Sequence, residues 1–381
     1  MDKSLLVTLD FPPQKGGIAN YLGNLYSRLP SDKVVVMAPK QKGSEEYDRH
    51  VGYKIIRGHL LSFYIWPRWL PLYFKVKRLV KKEKIKMLHL SHVLPIGYIA
   101  YLLNRNKKLK LRYIVYCHGL DVLRAQETPK KKERLIKILK NAAGIIANSE
   151  YTRSLIRNLG VPDDKILVVY PCPAVQPSKE TIETYTTIAK YGLSGKRIIL
   201  TVSRLVARKG IDKVIEVMPK IYEQFKDVMY VIVGDGPDIE RLGKMSQERN
   251  LQNIVRFVGE VPDSELPKFY SIAEIFAMPS RQIGSDVEGF GIVYLEANLY
   301  GLPVIGGRSG GVPEAVIDQR TGLLVNPENT EEIYSAIRDL LSNPDWAKTL
   351  GENGRIRAEN DFQWRKETEK LRRFLGGHTY G

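Results

Sequence analysis

The fold is decided by the stretch Arg197-Ile-Ile-Leu-Thr-Val202, which is followed by Ser203-Arg204-Leu-Val-Ala-Arg208-Lys209-Gly210 and then by Ile211–Glu223. The first part is a continuous apolar run, which is typical of a strand buried on both faces of a sheet. The last part places apolar side chains at helical spacing, and the polar loop between them ends in a glycine. A strand, a short loop and a helix in this order predict one repeat of a parallel α/β sheet covered by helices.

The same alternation extends in both directions from this stretch. Before it, the predicted strands are Leu5–Leu9, Val34–Ala38, Lys54–Arg57, Met87–His92, Tyr113–His118, Gly144–Asn148 and Ile166–Tyr170. After it, they are Met229–Val233, Val255–Val258, Ile275–Met278, Pro303–Ile305 and Leu323–Val325. The expected fold class is therefore α/β, with two Rossmann-like doubly wound domains that face each other across a cleft.

Domain boundaries follow from the place where the alternation stops. Residues 171–195 contain Pro171, Pro173 and Pro177 and a threonine-rich polar stretch without a strand pattern, which indicates a connection. A final helical pattern covers Trp364–Leu375 and is expected to pack back on the first domain. The expected parts are an N-terminal domain over 1–175, a linker over 176–195, a C-terminal domain over 196–361 and a closing helical segment over 362–381.

Charge is unevenly distributed along the 381 residues, whose formal net charge is +17. Residues 1–170 contain 32 Lys and Arg against 13 Asp and Glu, so the whole excess lies in the first half. A one-sided basic half indicates an anionic partner such as a nucleic acid, an anionic bilayer or a phosphorylated substrate. Two cysteines are too few for a disulfide scaffold, and no apolar run approaches the ~20 residues of a spanning helix. We expect a cytoplasmic protein in peripheral contact with the inner face of the cell membrane.

Two loops of the first domain place candidate side chains after predicted strands, where doubly wound domains bind ligands. Gly16 and Gly17 open a helix, so their backbone can approach an anion closely; the alternative is a tight turn. His118 ends an apolar run and can direct its imidazole at a ligand. The alternative for His118 is a histidine that is hydrogen-bonded within the structure.

Two loops of the second domain concentrate charged side chains in the same way. Arg204 and Lys209 belong to one loop, where a guanidinium fork and an ammonium group suit a diphosphate; the alternative is a solvated basic turn. Glu288 begins the glycine-rich stretch Glu288-Gly-Phe-Gly291, and Glu296 lies two turns into the following helix. That helix N-terminus can face a diphosphate, and an ionised Glu296 can accept both hydroxyls of a ribose. The alternative is a surface glutamate next to an ordinary helical one.

Together these loops resemble the motifs of family 4 of the retaining glycosyltransferases. Further blocks match the family in order over nearly the whole chain: Gly16-Gly17, His118-Gly119, Val202-Ser203-Arg204, Arg208-Lys209-Gly210, Val233-Gly234-Asp235-Gly236, Ser309-Gly310-Gly311-Val312-Pro313-Glu314 and Phe362-Gln-Trp-Arg. Within the family, Asp10-Phe-Pro-Pro and Asp286-Val-Glu-Gly-Phe-Gly are most similar to bacterial phosphatidylinositol mannosyltransferases. The stretch Ser280-Arg-Gln-Ile-Gly-Ser departs from that subgroup, which leaves the exact acceptor open.

The resemblance implies the GT-B fold, with an acceptor-binding domain over 1–175 and a nucleotide-sugar-binding domain over 196–361. It also implies the transfer of a hexose, with retention, from a nucleotide sugar to a lipid-linked or phosphorylated acceptor. For the most similar subgroup the donor is GDP-mannose. The implied catalytic residues are Arg204 and Lys209 at the diphosphate, Glu288 at the sugar and His118 near its C6 hydroxyl. The implied donor-binding residues are Gly16, Gly17, Arg204, Lys209, Gly234, Asp235, Phe290, Gly291, Ile292, Val293 and Glu296. No cofactor and no metal are expected, since the nucleotide sugar is a substrate and no Asp-x-Asp donor motif lies in a suitable loop.

An aromatic and basic segment over residues 60–86 is the candidate membrane contact. Pro71 suits a helix start, and the residues after it form an apolar stripe beside a basic one. Aromatic residues next to a basic face are typical of a segment that lies on an anionic bilayer. The residues predicted to contact the membrane or the acceptor are Trp66, Trp69, Lys75, Arg78 and Lys82. The alternative is an ordinary helix whose apolar stripe is core and whose lysines are solvated.

Two other functions remain open from the sequence. One keeps the chemistry but uses a UDP-hexose donor to build a polysaccharide or another glycoconjugate. The other is a nucleic-acid-binding protein that uses the basic half, but it leaves Glu288 and Glu296 without a task. We therefore expect no nucleic acid among the partners.

Overall fold

The computed structural model describes residues 1–109, 111–174, 177 and 189–377. The chain divides into two compact units: unit 1 is Met1–Pro171 with Trp364–Gly381, and unit 2 is Cys172–Gln363. Most of the expected linker, at residues 176 and 178–188, lies outside the described residues.

Unit 1 contains a seven-stranded sheet in the order β3-β2-β1-β4-β5-β6-β7, in which all neighbouring strands are parallel. The strands are β1 (Ser4–Val7), β2 (Val34–Pro39), β3 (Lys54–Gly58), β4 (Met87–Leu90), β5 (Arg112–Cys117), β6 (Gly144–Ala147) and β7 (Ile166–Val168). The helices are α1 (Gly17–Tyr26), α2 (Ser44–Arg49), α3 (Leu70–Lys82), α4 (Gly97–Asn104), α5 (Leu120–Arg124), α6 (Pro129–Asn141) and α7 (Glu150–Arg157).

Unit 2 contains a six-stranded parallel sheet in the order β10-β9-β8-β11-β12-β13. The strands are β8 (Arg197–Val202), β9 (Val228–Val233), β10 (Val255–Gly259), β11 (Ile275–Met278), β12 (Val304–Gly307) and β13 (Gly322–Val325). The helices are α8 (Ile211–Gln224), α9 (Ile239–Glu248), α10 (Leu266–Ile272), α11 (Ile292–Leu299), α12 (Val312–Ala315), α13 (Thr330–Ser342) and α14 (Pro344–Asp361).

The last helix, α15 (Trp364–Gly377), belongs to unit 1 although it follows unit 2 in sequence. Its Trp364 ring lies 6.0 Å from the ring of Tyr21 on α1. The Glu367 carboxylate is buried and accepts a hydrogen bond of 2.8 Å from the backbone N–H of Tyr170. A buried carboxylate needs such a donor, so this bond fixes α15 beside the end of unit 1.

Each predicted strand overlaps an observed one, because strands buried on both faces need continuous apolar runs. In both sheets the strand order reverses once, between β1 and β4 in unit 1 and between β8 and β11 in unit 2. Ligands of doubly wound sheets bind at the carboxyl ends of the strands on either side of such a reversal. The loops that follow these four strands are therefore the places to look for a site.

Helix α3 decides between the two interpretations of the aromatic and basic segment. Its apolar stripe, Leu72, Val76, Leu79 and Val80, is buried in the core of unit 1. The prediction that this stripe faces lipid is therefore wrong, because both a core and a bilayer require the same apolar periodicity and the core has taken it. In the described part of the chain, no helix combines the length and the apolar character needed to cross a bilayer.

The exposed apolar residues of this segment lie in the loop before α3 and on the outer side of the helix. Phe63, Tyr64 and Trp66, in the loop that precedes α3, have 79%, 98% and 86% of their surface exposed, and Phe74 on α3 has 60%. Trp69, in contrast, is half-buried and stacks on Tyr98 of α4 at 5.6 Å. Three of the predicted basic contacts are exposed along α3: Lys75, Arg78 and Lys82.

Candidate active site

Glycines hold the loops of unit 2 against one another at the carboxyl edge of its sheet. Gly210, at the start of α8, has φ +72, and a Cβ there would collide with the carbonyl oxygen of Pro279 just beyond β11. Gly310 has φ +57, and a Cβ there would collide with the carbonyl oxygen of Glu288. The loops after β8, β11 and β12 are therefore in direct backbone contact, which places their side chains together.

Glu288 lies at the centre of this contact and is paired with two cations. Its Oε2 accepts a hydrogen bond of 2.6 Å from Nη1 of Arg208 and a further bond from Nζ of Lys209. The Nε of Arg208 also lies 3.0 Å from Oδ1 of Asp286. Burial alone would raise the pKa of Glu288, but Lys209 and Arg208 lower it to about 2. Glu288 is therefore an ionised carboxylate at neutral pH.

Lys209 is the most buried cation of this group, with 8% of its surface exposed. Burial lowers its pKa, and the neighbouring Glu288 opposes that shift. Arg204, at the start of the same loop, is exposed to solvent. The loop thus presents one buried and one exposed cation, as well as Arg208 at the glutamate.

Glu296 lies on α11, which begins after Gly291 with its φ of +91. The carboxylate is 8% exposed, and its Oε2 accepts a hydrogen bond of 3.1 Å from the Tyr270 hydroxyl. Burial raises the pKa of Glu296 to about 7, and Tyr270 partly opposes the shift. The pKa values of Glu296 and Glu288 are therefore shifted in opposite directions, since only Glu288 is paired with cations.

The other predicted donor contacts of unit 2 lie on the same edge. Gly234 and Asp235 follow β9, where a Cβ on Gly234 would collide with the carbonyl oxygen of Ser203. The Phe290 ring is buried and lies 5.6 Å from the Phe362 ring, so this residue offers a ligand its backbone. Ile292 and Val293, in the first turn of α11, are half-buried.

In unit 1, His118 follows β5 and is held in a defined tautomer. Its Nε2 lies 3.1 Å from the carbonyl oxygen of Ser91, which accepts only, so Nε2 carries the hydrogen and Nδ1 is an acceptor. Burial lowers the pKa of His118 to about 4, so the ring is neutral at pH 7. Asp121 receives a 2.8 Å hydrogen bond from the backbone N–H of His118 at Oδ1, while its Oδ2 is buried without a hydrogen-bond partner.

A cavity of about 420 Å³ adjoins this histidine at the carboxyl edge of the unit 1 sheet. Its lining is largely apolar, with His92, His118 and Asp121 among its polar residues and Arg124 and Lys131 as its cations. A concave apolar pocket with a few convergent polar groups is the usual form of a small-molecule site.

Gly16 and Gly17, the two predicted glycines of unit 1, differ in what they require. Gly16 has φ +141, a conformation that favours glycine, and a Cβ on either Gly16 or Gly17 would meet no atom within 4 Å. Both are exposed at the start of α1. The space around Gly17 is open to a ligand, while Gly16 is needed for the turn itself.

Several residues without a predicted role contact the predicted ones. In unit 2 they are Arg208 and Asp286, which hold Glu288. In unit 1 they are His92 and Asp10, whose Nε2 and Oδ2 lie 3.2 Å apart, and Asp121. The signal was present, because Asp10 and His92 follow the two strands at the point where the strand order reverses.

Two doubly wound units with a cationic loop beside a glycine-rich helix start are the features expected of a glycosyltransferase that uses a nucleotide sugar. The family models for "Glycosyltransferase Family 4" and "Glycosyl transferases group 1" match residues 15–172 and 185–357, respectively. The chain belongs to the family 4 glycosyltransferases.

Relatives over the full length support this membership. The chain is 33% identical, over 98% of both sequences, to the GDP-mannose-dependent alpha-(1-6)-phosphatidylinositol monomannoside mannosyltransferase of Mycolicibacterium smegmatis. It is 30% identical to the corresponding enzyme for the monoacylated monomannoside in Corynebacterium glutamicum, over 98% of this chain and 97% of the relative. The fold is similar to that of Anabaena HepE in complex with UDP and glucose, with a TM-score of 0.83, 18% identity and coverage of 99% and 100%. The GT-B fold expected from the motifs is thus confirmed.

Proposed function

We propose that this glycosyltransferase transfers mannose, with retention of configuration, from GDP-mannose to a lipid-linked phosphorylated acceptor at the cytoplasmic membrane surface. The observation that carries the proposal is the pairing of Glu288 with Arg208 and Lys209 beside α11, which bears Glu296. This group offers cations for a diphosphate and separate carboxylates for a sugar and a ribose. The named activities of the full-length relatives supply the donor and the acceptor class.

The donor roles follow from where negative charge develops. When the glycosidic bond to the diphosphate breaks, charge builds on the leaving phosphate, and Lys209, Arg204 and the N-terminus of α11 stabilise it. Glu288, ionised at neutral pH, faces the sugar as it acquires positive character. Glu296 accepts the ribose hydroxyls. This assignment needs no metal ion, so we expect turnover in the presence of a chelator.

The acceptor roles are assigned to the cavity of unit 1. His118 is neutral and presents Nδ1 as an acceptor for a substrate hydroxyl. Arg124 and Lys131 add positive charge to a mainly apolar lining, which suits a polar ring joined to a phosphate. A lipid-linked phosphorylated acceptor fits this combination.

Peripheral membrane contact is assigned to the exposed loop before α3 rather than to the apolar stripe of that helix. Phe63, Tyr64 and Trp66 expose large amphipathic or apolar rings, and α3 adds exposed lysines. The segment adjoins the acceptor cavity, because Trp69 stacks on Tyr98, which lines that cavity. A lipid acceptor could thus enter the cavity without leaving the bilayer.

Donor choice is tested by thermal shift with GDP-mannose, UDP-glucose and ADP-glucose. A ligand that binds only the folded state stabilises it by RT ln(1+[L]/Kd), which is about 2.7 kcal/mol at 100 times Kd. We expect the largest rise in melting temperature with GDP-mannose. A larger rise with UDP-glucose would refute the proposed donor and favour a UDP-hexose transferase.

A further inference from the structure

We propose that Arg208 is a positioning residue, which holds the Glu288 carboxylate in place and so leaves Lys209 free to bind the donor diphosphate; this inference rests on the proposed function. The buried Glu288 carboxylate needs a cationic partner both before and after the donor binds. Arg208 is the residue whose contacts supply one.

The geometry shows two cations at a single oxygen. Arg208 and Lys209 both donate to Oε2 of Glu288, and all three side chains are at most 18% exposed. A diphosphate that draws Lys209 away would leave a buried carboxylate without a cation if Lys209 were its only partner. With Arg208 in place, the pair Arg208–Glu288 persists, and Lys209 can change partners.

A second contact fixes the direction of Arg208. Its Nε lies 3.0 Å from Oδ1 of Asp286, while Nη1 reaches Glu288, so one planar guanidinium spans two carboxylates of the same loop. Its carbonyl oxygen accepts a 2.8 Å hydrogen bond from the backbone N–H of Arg281. Both ends of Arg208 are therefore attached to the segment that follows β11.

The backbone of that segment is fixed independently of Arg208. The N–H of Gly311 donates a 2.9 Å hydrogen bond to the carbonyl oxygen of Glu288, and Gly310 packs on the same carbonyl. Loss of Arg208 should therefore release the Glu288 side chain while its backbone stays in place. The effect should appear in the chemical step and in the titration of Glu288, and much less in donor affinity.

The direction in which the pKa of Glu288 should change follows from the ionisable groups around it. The ionisable groups that act on Glu288 are Arg208 and Lys209 from the loop after β8, Asp286 from its own loop and Tyr294 from α11. Burial favours the protonated carboxyl, and the two cations oppose it. Removing one cation should raise the pKa of Glu288 by about one unit or more.

The test compares Arg208→Gln and Arg208→Lys with the wild type. Arg338→Gln serves as the matched control, because Arg338 is a half-buried arginine of unit 2 that is also paired with an aspartate, Asp339. At saturating GDP-mannose, we expect Arg208→Gln to lower kcat by about 10- to 100-fold, as a misplaced reacting group does, while donor Kd changes by less than about threefold. Arg208→Lys keeps the charge but lacks the fork, so its kcat should lie between those of the glutamine variant and the wild type.

Carboxyl NMR of donor-free protein provides a readout that does not depend on the proposed activity. From about pH 2 to about pH 7, the midpoint of the Glu288 titration should lie at least about one pH unit higher in Arg208→Gln than in wild type and Arg338→Gln, whereas Arg208→Lys, which keeps the charge, should titrate like wild type. An unchanged Glu288 titration in the glutamine variant would overturn the inference, as would a defect confined to donor Kd. If the glutamine variant does not fold, wild-type kcat in Arg208→Lys would overturn it. Absence of GDP-mannose turnover by wild type would instead refute the proposed function, and the NMR comparison would still decide the role of Arg208.

Discussion

At the scale of single residues, the two glutamates of unit 2 are prepared for different tasks. Glu288 is held ionised by Lys209 and Arg208, whereas Glu296 has a hydroxyl partner and a pKa raised to about 7 by burial. A carboxylate that must accept two ribose hydroxyls works only when it is ionised. Near neutral pH, we therefore expect the donor KM to depend on pH more strongly than the rate of the chemical step.

This difference gives a prediction for Glu296. We expect the donor KM of wild type to fall as the pH rises through about 7, and to rise by up to about tenfold for each unit below it, since only the ionised form binds well. Glu296→Gln should have a higher donor KM at pH 8 and should lose the pH dependence. Steady-state kinetics from pH 5.5 to 8.5 measure both, and a glutamine variant that keeps the wild-type pH profile would refute the role of Glu296.

The diphosphate contacts give a second residue-scale prediction. Lys209→Ala and Arg204→Ala should each remove a charge-assisted bond, which costs about 1.5–3 kcal/mol, or about 10–150-fold in kcat/KM. Lys220→Ala is a suitable control, because Lys220 is an exposed lysine of the same unit that pairs with Glu331. Near-wild-type kcat/KM in both loop variants would contradict their assignment.

Some of this site could be predicted from sequence and some could not. Lys209 and Glu288 stand in loops that follow strands, so their edge of the sheet was predictable. The role of Arg208 was not, because the turn over Ala207–Lys209 is what brings two adjacent cations to the same carboxylate oxygen. The surroundings of Glu296 also could not be predicted, because its partner, the Tyr270 hydroxyl, comes from a different helix, α10.

Among the secondary-structure elements, the strands and helix α3 were predicted, but the surroundings of the apolar stripe of α3 were not decided by the sequence. A strand that is buried on both faces has a distinct sequence, a short apolar run. An amphipathic helix has the same periodicity whether its apolar side meets a core or a bilayer, and the core of unit 1 takes Leu79 and its neighbours. The exposed rings of Phe63, Tyr64 and Trp66 became evident only once the loop before α3 was placed.

The loop gives an element-scale prediction. Replacing Phe63, Tyr64 and Trp66 with serine should weaken binding to anionic vesicles at least as much as replacing Lys75, Arg78 and Lys82 with glutamine, where each cation contributes about 1 kcal/mol. Co-sedimentation with anionic and zwitterionic vesicles measures both. Both triple variants should keep the melting temperature and the donor affinity of wild type. Equal sedimentation of all three proteins would leave the membrane assignment without support.

Leu79→Asp separates the core from the lipid interpretation of α3. Because Leu79 is 9% exposed within the core of unit 1, a charge there should lower the melting temperature strongly. If Leu79→Asp melts like the wild type but no longer binds vesicles, the core interpretation is contradicted and the apolar stripe must contact lipid.

At the scale of the whole molecule, the basic excess lies in the unit to which the acceptor is assigned, and the donor is assigned to the other unit. The basic excess of residues 1–170 lies in unit 1, which bears the proposed acceptor cavity and the exposed aromatic loop. Vesicle binding should therefore weaken as salt rises from about 0.05 M to about 0.5 M, because screening shortens the reach of these cations. Donor binding, which uses buried pairs in unit 2, should change less over the same range.

Transfer of mannose to a lipid acceptor can be measured with purified protein and vesicles. Purified protein is incubated with radiolabelled GDP-mannose or radiolabelled UDP-glucose, together with a chelator and vesicles that contain a phosphatidylinositol-based acceptor or phosphatidylcholine alone. The label in the extracted lipid is then counted. We expect label in the acceptor lipid only, released afterwards by an α-mannosidase, with none from UDP-glucose. Absence of lipid label with GDP-mannose, or label that appears only with UDP-glucose, would contradict the account.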